Sequence, residues 1–447
     1  MIKIYNTLSK KKELLSIKKE KPGLFVCGIT AYDSPHLGHA KTYLFFDFFT
    51  KYLKSKGYNL FYLQNITDID DKIIKKAKEK NISPIKLARE YEKEYLEEMK
   101  LLKVNSVSKY ARATENIKEI ISQVERLIEK GFAYQIKDGI YFDIKKFKNY
   151  GKLSRRTILQ AEDGVSRIDE GKGKNNRGDF CLWKFSKEGE PKWKSPFGEG
   201  RPGWHIEDTA IAEKYLGSQY EIHAGGRDLI FPHHEAEIAQ MEAISGKRPY
   251  VKYWMHTGFL TVEGQKMSKS LNNFITLKEL LIKYSPRILR YFLLKHHYRS
   301  PFDYDEKKIE QAKKELEKID NYILKCKEYS FKKDDLNKKA IDKIKEKFEK
   351  ALENDFNTPI AVSLIFDLLK ISPSKEALLF IKEIDKYFNV FISKKEIIPE
   401  KVKKLAKERE KERKGNNFEK ADIIREEIEN LGYKVEDTKK GPAIKKI

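Results

Sequence analysis

Two short strings carry the residues best suited to chemistry on a phosphate. His36-Leu37-Gly38-His39 places two imidazoles three residues apart, so on a helix they share one face. Asp33-Ser34-Pro35 just before them is a helix-start signal, since Asp or Ser can cap and Pro suits the first helical position. The imidazoles then sit in a first turn, where free backbone N–H groups and the positive end of the dipole favour an anion. Gly38 has no side chain and lets a base or ribose approach the backbone. Both rings can donate hydrogen bonds to an α-phosphate as charge builds up there. The second string, Lys266-Met267-Ser268-Lys269-Ser270, follows the turn signal Glu263-Gly264-Gln265. Lys266 and Lys269 can meet the charge of a departing pyrophosphate. Each string alone is common on protein surfaces; together, in this order, they predict an ATP site that activates a carboxylate. Neither a P-loop string nor GxGxxG occurs, so phosphate binding falls to the histidine helix and the lysine loop.

The elements that must position these residues read as α/β. Leu24-Phe25-Val26-Cys27 is a short apolar run of the kind found in buried parallel strands. A helix from Pro35 to about Ser55 follows, stopped by Gly57, and Leu60-Phe61-Tyr62-Leu63 reads as the next strand. Strand, helix and strand in this span make a right-handed crossover unit. Tyr220-Glu221-Ile222-His223 resumes the pattern and leads through Ala224-Gly225-Gly226 to a helix from about Pro232. A Rossmann-like parallel-sheet domain, 1–105 and 200–255, is therefore expected to be split by an insertion, 106–199, with short strands such as Gly139-Ile140-Tyr141-Phe142. Residues 256–304 hold the lysine loop. From about 305 the pattern is helical, with apolar spacing near 3.6 through Ile309, Ala312, Leu316, Ile319 and Ile323. A bundle over 305–398 and a small terminal domain over 399–447 are expected.

With 447 residues the chain is too long for one core. Its 40% hydrophobic and 36% charged residues suit a water-exposed globular protein. No apolar run approaches the ~18 residues of a membrane span, and the lysine-rich start, Met1 to Pro22, reads as no secretion signal. Three cysteines, Cys27, Cys181 and Cys326, cannot build a disulfide framework, and a reducing, cytoplasmic setting is expected. A net charge of +23 fits a polyanionic partner, most simply nucleic acid, although compositional bias alone would also produce it.

The two strings resemble the paired motifs of class I aminoacyl-tRNA synthetases. Cys27-Gly28-Ile29-Thr30, Asn65-Ile66-Thr67-Asp68-Ile69-Asp70-Asp71-Lys72, Gly203-Trp204-His205-Ile206-Glu207, Phe231-Pro232-His233-His234-Glu235 and Asp355-Phe356-Asn357-Thr358-Pro359 are similar to motifs of the cysteinyl-tRNA synthetases. The similarity runs almost end to end. It implies that ATP, with Mg²⁺, and L-cysteine form cysteinyl-adenylate and pyrophosphate, and that tRNA(Cys) then receives the cysteinyl group with release of AMP. It also implies a C-terminal anticodon-binding domain, a stem-contact role for 256–304, and no need for a dimer. Gly28, Thr67, Trp204 and Asp228 match positions that bind the amino acid, and His205 and His256 lie in matching segments. A ligase joining cysteine to an amino sugar is a rival reading, but such relatives lack a counterpart of residues 400–447.

Cysteine differs from serine by one atom, and pocket shape alone rejects such near-isosteres only ~10- to 200-fold. A zinc ion binds thiolate well and has little attraction for a hydroxyl. His233 and Glu237, four apart on an expected helix, can face one ion, whereas His234 is paired by the same spacing with Ile238 and is less favoured. Cys27 ends the first strand, where open α/β sheets collect ligands. The family's ligand set is two cysteines, a histidine and a glutamate; here Asp208 stands where the second cysteine belongs. Two outcomes stay open: Asp208 joins Cys27, His233 and Glu237 around Zn²⁺ or a harder ion, or it falls short and leaves the set weak. The acids Asp68, Asp70 and Asp71 lack the Gly and Glu of a calcium loop. In the terminal segment, Arg413 and Lys414 suit phosphate contact, and Glu436 and Asp437 can accept from a base edge.

Overall fold

The run Leu24-Phe25-Val26-Cys27 lies inside β1 (Gly23–Thr30), the central strand of a five-stranded sheet. The computed structural model describes all residues except 18–19, 158–159, 161–172, 263, 268–273, 329–334, 393–398, 439–440 and 447. Helix α1 (Leu37–Ser55) carries the chain from β1 to β2 (Phe61–Thr67), and β3 (Lys109–Arg112) forms the sheet edge. After the insertion come α2 (Ile206–Leu216), β4 (Tyr220–Gly226), α3 (His233–Ser245) and β5 (Val251–Thr257). The strand order is β5-β4-β1-β2-β3, and every pairing is parallel. The order reverses between β1 and β4. That is where open α/β sheets form a crevice beyond the carboxyl ends of their strands.

The sheet reaches past residue 105, where the sequence suggested it would end. Lys109–Arg112 adds a parallel edge strand that lacks any apolar run, because an edge strand buries little. The insertion begins after it. It holds the helix Ile117–Glu129 and a four-stranded antiparallel sheet of Ala133–Ile136, Gly139–Phe142, Phe180–Phe185 and Gly200–Pro202.

Helix α1 is buried on nearly all sides because Phe45, Phe46, Phe48, Phe49 and Tyr52 cover its circumference. Phe356 packs on Phe49 at 4.7 Å between ring centroids. Next to it the buried Asp355 carboxylate accepts from the Tyr5 N–H at 2.9 Å and the Tyr298 hydroxyl at 2.6 Å. Asn357 then caps the helix Thr358–Leu368. The Asp355–Pro359 string is thus a joint between the N-terminal hairpin of Lys3–Asn6 and Lys11–Leu14, the sheet domain and the helices Glu306–Glu328, Asp335–Glu353, Thr358–Leu368 and Lys375–Phe388.

Two compact units result, Met1–Phe391 and Ile392–Ile447. The second is a helix pair, Glu400–Lys414 and Phe418–Asn430, with a hairpin of Tyr433–Thr438 and Gly441–Lys446. Val402, Ala406, Ile424, Ile428 and Val435 form its core. Arg413 and Lys414 lie in the last turn of the first helix, and Glu436 and Asp437 on the first strand of the hairpin.

Candidate active site and metal cluster

The histidine end of the site is shaped by the two rings themselves. The helix start differs from the Asp33-Ser34-Pro35 expectation: His36 is the N-cap of α1 and Pro35 lies outside it. The His36 Nδ1 accepts from the backbone N–H of His39 at 3.3 Å, and the His39 Nδ1 accepts from that of His36 at 3.4 Å. The rings stack with centroids 3.7 Å apart. A histidine can cap in this way because Nδ1 lies as close to the backbone as an Asn or Asp oxygen does. Since Nδ1 accepts in both rings, each neutral imidazole carries its proton on Nε2. Burial pushes His36 down to about 4 and His39 well below its ordinary value, so both are neutral near pH 7. Gly38 has a second reason to be glycine: a Cβ there would meet the His36 ring at 2.9 Å.

Both rings border a cavity of about 390 Å³ at the carboxyl ends of β1, β2 and β4. Cys27, Gly28, Thr67, Trp204, Asp208, Asp228, His233 and Met267 border the same cavity. The backbone of Lys266 pairs with Thr261 in a short hairpin. Lys269 lies outside the described residues. Glu237, fully buried in α3, backs the cavity floor without facing it. His205 lies beside a neighbouring cavity of about 180 Å³, across Trp204. His256 is buried behind both.

A break in register between β1 and β2 at Val26/Ile29 sets the floor. Bulges of this kind re-aim side chains at sheet ends. Here the β2 backbone comes so close that a Cβ on Gly28 would overlap the Asn65 carbonyl oxygen. Asn65 fastens both sides of the floor. Its Oδ1 accepts from the Gly28 N–H at 2.6 Å, and its Nδ2 donates to Asp208 Oδ1 at 2.5 Å. The Thr67 hydroxyl donates to Glu207. Trp204 stacks on His233, centroids 4.5 Å apart. Asn65 and Glu207 stood in strings noted above without a role of their own. The signal for both is a polar side chain buried beside a cavity.

Four donor atoms from Cys27, Asp208, His233 and Glu237 all lie within 4.8 Å of one another, and all four residues are buried. His233 Nε2 is 3.1 Å from Asp208 Oδ2 and 3.3 Å from Glu237 Oε1. His205 Nδ1 meets His233 Nδ1 at 2.8 Å, a contact that orients the ring. Burial first, then the carboxylates of Asp208 and Glu237, pushes the Cys27 thiol well above its ordinary value. Burial, then Asp208 and Glu207, does the same to Glu237. Glu237 Oε2 is buried with no hydrogen-bond partner among the described residues. Converging acids, one thiol and an orphaned carboxylate oxygen form a donor set that a divalent cation fits, and zinc accepts each donor type.

His234 was set aside on spacing, yet its Nε2 lies 3.1 Å from Cys27 Sγ. It stands three residues before Glu237, and i,i+3 neighbours share a helix face as i,i+4 neighbours do. His223 on β4 joins it, Nε2 to Sγ 3.3 Å. Asp68, Asp70 and Asp71 are each engaged elsewhere: Asp68 accepts from Thr114 and pairs with Arg89, Asp70 caps the helix Asp71–Glu79, and Asp71 pairs with Lys184 and Arg201.

Comparison with known proteins shows the family and the fold. A family model described as tRNA synthetases class I (C) catalytic domain matches residues 13–314, and a DALR domain matches 347–372. The chain is 46% identical to the cysteine–tRNA ligase of Thermococcus gammatolerans, with 100% of this chain and 99% of that one aligned. It is 46% identical to that of Pyrococcus horikoshii, with 100% and 99% aligned, and 45% to that of Methanococcus maripaludis, with both aligned in full. In fold it is similar to a Mycobacterium tuberculosis methionyl-tRNA synthetase in complex with methionyl-adenylate. The TM-score is 0.60 over 83% of this chain and 88% of that one, at 15% identity.

Proposed function

The chain belongs to the cysteine–tRNA ligase family of class I aminoacyl-tRNA synthetases, and from that premise we propose how its cavity performs the reaction and which ion it employs. The observation that carries the reading is one cavity bordered at one end by the stacked histidines and at the other by the buried Cys27 thiol and Asp208. ATP, accompanied by Mg²⁺, lies along the histidine end and L-cysteine at the floor. The cysteine carboxylate attacks the α-phosphate, so no protein nucleophile is used. Catalysis consists of positioning and charge stabilisation. His36 and His39 donate from Nε2 to the phosphate oxygens as neutral groups. Lys266 and Lys269 take the charge of the leaving pyrophosphate. Asp228 pairs with the substrate ammonium. Gly28 and Thr67 hold its backbone groups, and Trp204 closes the side-chain pocket. The cysteinyl group then passes to the terminal adenosine of tRNA(Cys), and AMP leaves.

Cys27, Asp208, His233 and Glu237 hold one zinc ion, which when bound stabilises the substrate thiolate and discriminates against a serine hydroxyl. Residues 305–398 serve as a bundle, 256–304 contact the acceptor stem, and 399–447 read the anticodon, with Arg413 and Lys414 on phosphate. Glu436 and Asp437 accept from base edges. The enzyme works as a cytoplasmic monomer. No helix among the described residues is long and apolar enough to cross a membrane, and the cysteines are free thiols. Pyrophosphate exchange tests the reading: it should require cysteine and be nearly blind to serine, with charging of tRNA(Cys) following. Serine exchange comparable to cysteine exchange refutes selection by a metal. So does less than about a tenth of an equivalent of any transition ion in protein purified without chelator.

A further inference from the structure

Behind the cavity floor, a second set of donors closes on the same thiol and the same carboxylate. Cys27, His223, His234 and Glu237 also bring four donor atoms within 4.8 Å of one another, all on buried residues. We propose that before cysteine binds, this chain holds its metal ion on Cys27, His223, His234 and Glu237 rather than on the Asp208 set that faces the cavity. The proposal rests on the reading that the site is metal-dependent.

Distances come first. Bonds of ~2.0–2.3 Å arranged tetrahedrally put donors about 3.3–3.8 Å apart. In the closed set, Cys27 Sγ lies 3.3 Å from His223 Nε2, 3.1 Å from His234 Nε2 and 4.0 Å from Glu237 Oε1. His223 Nε2 lies 3.6 Å from Glu237 Oε2, and His234 Nε2 3.9 Å from Glu237 Oε1. The two sulfur–imidazole edges lie close to the tetrahedral values, and the Glu237 edges, which run to either carboxylate oxygen, need only a turn of that carboxylate to present one of them.

Proton accounting comes second. The Tyr220 hydroxyl donates to Tyr250 at 3.3 Å, so at 2.6 Å it accepts from His223 Nδ1–H. His223 Nε2 is then a bare lone pair. His234 Nδ1 meets His256 Nε2 at 2.8 Å, and His256 Nδ1 meets the Thr7 hydroxyl at 2.8 Å. A proton on each Nδ1 satisfies all three groups and leaves His234 Nε2 bare as well. Two lone pairs and the orphaned Glu237 Oε2 then surround a single S–H proton. A dication that displaces that proton to solvent satisfies every one of them. The bonds at Nδ1 are also those that orient ligating imidazoles in metal sites.

Charge comes third. A thiolate and one carboxylate neutralise a dication in this buried position, whereas the Asp208 set carries three anions. Two imidazoles and a thiolate also suit zinc better than two carboxylates, one imidazole and a thiolate. Asp208 meanwhile has partners of its own in Asn65 and His233. His223, His234 and Glu237 do not border the cavity, while Cys27, Asp208 and His233 do. A cysteine thiol therefore reaches the ion only after the ion passes from the closed set to the open one, pivoting on Cys27 and Glu237.

X-ray absorption at the zinc edge of the full-length, zinc-loaded protein reads the ligands directly. The resting spectrum should fit one sulfur and two imidazoles, and with cysteine present it should fit two sulfurs and one imidazole. A resting spectrum with one imidazole overturns the inference and leaves the metal-dependent reading intact; loss of the ion in both states overturns both. In His223→Gln, zinc affinity without cysteine should fall ~10- to 100-fold and affinity with cysteine far less. Equal affinities for variant and parent without cysteine count against the closed set.

Discussion

Removing the Asn65 side chain is the sharpest perturbation of the floor, because one amide holds both the strand end and Asp208. Asn65→Ala deletes the acceptor for the Gly28 N–H, 2.6 Å, and the donor to Asp208 Oδ1, 2.5 Å. A buried neutral group left unpaired costs about 1–3 kcal/mol, and a charged one more. Gly28 borders the cavity, so water can replace the lost acceptor and its share is about 1 kcal/mol. Asp208 is 1% exposed and its share is about 2 kcal/mol, giving about 3 kcal/mol of lost stability in all. If Asp208 is the ligand that meets the ion when cysteine is bound, its loosening should act as loss of an outer-shell partner does, ~10- to 100-fold. The assay is pyrophosphate exchange in excess zinc, titrating cysteine and ATP in turn, with the melting temperature measured alongside. KM for cysteine should rise by that factor, and KM for ATP should stay within ~two-fold because His36 and His39 lie at the other end of the cavity. Asn65→Asp keeps the Gly28 acceptor but turns an anion toward Asp208, so its effect on cysteine should be at least as large. A lowered melting temperature with an unchanged KM for cysteine would show that Asn65 only supports the fold and would refute the role assigned to Asp208.

His39→Ala removes one neutral donor from the histidine pair, and exchange should slow by ~10²–10³ with KM for cysteine nearly unchanged. With His36 held down to about 4 and His39 also lowered, neither ring gains a proton as pH falls through 6.5. Zinc-saturated enzyme should therefore show no histidine limb near that pH, and a loss of rate centred there would contradict the burial of the pair. Burial, then Glu94, raises the Glu98 carboxyl to about 8, and both its oxygens are buried without partners among the described residues. The unfolded chain loses this proton near pH 4.5 and the folded one only near 8, so stability drains away as pH rises between them, by up to ~1.4 kcal/mol per unit. Glu98→Gln should stabilise the protein by about 2–3 kcal/mol at pH 7 after solvent screening, and by nothing at pH 4.5. A gain independent of pH would place the carboxyl in water.

The parallel strands were legible because their signals are local. Four apolar residues between turn residues are a strand wherever they are buried, and Leu24–Cys27 needed no more. His36 as its own helix cap was not legible, since capping histidines are rare and Asp33-Ser34-Pro35 offers the commoner start. Helix α3 was legible as a helix but not as a core. The sequence places His233 and Glu237 on one face of a helix, yet every residue from His233 to Ile244 is buried. The partners that make this tolerable come from far along the chain: Cys27, Asp208, His223 and His256 for the histidines, and the backbone of Leu153 and Ser154 for Glu235. A rule that counts only i,i+4 pairs selects His233 over His234, although Glu237 is also the i,i+3 neighbour of His234.

Those distant partners also explain how a buried carboxylate is tolerated at position 208. A bare Asp208 would be an unpaired buried charge beside Cys27, Glu207 and Glu237, and burial with mutual repulsion already pushes those three upward toward their neutral forms. Asp208 is instead held by the Asn65 amide and by His233, whatever ion is present. A thiol at 208 would accept poorly from Asn65 Nδ2, so the amide and the carboxylate belong together. Tying Asp208 to Asn65 leaves Cys27 and Glu237 as the donors that can turn toward either side, with His223 and His234 behind them and the substrate thiol in front. On the proposed reading Asp208 belongs to one of two overlapping donor sets that share Cys27 and Glu237, and a shift of the ion between them would bring it within reach of the substrate thiol.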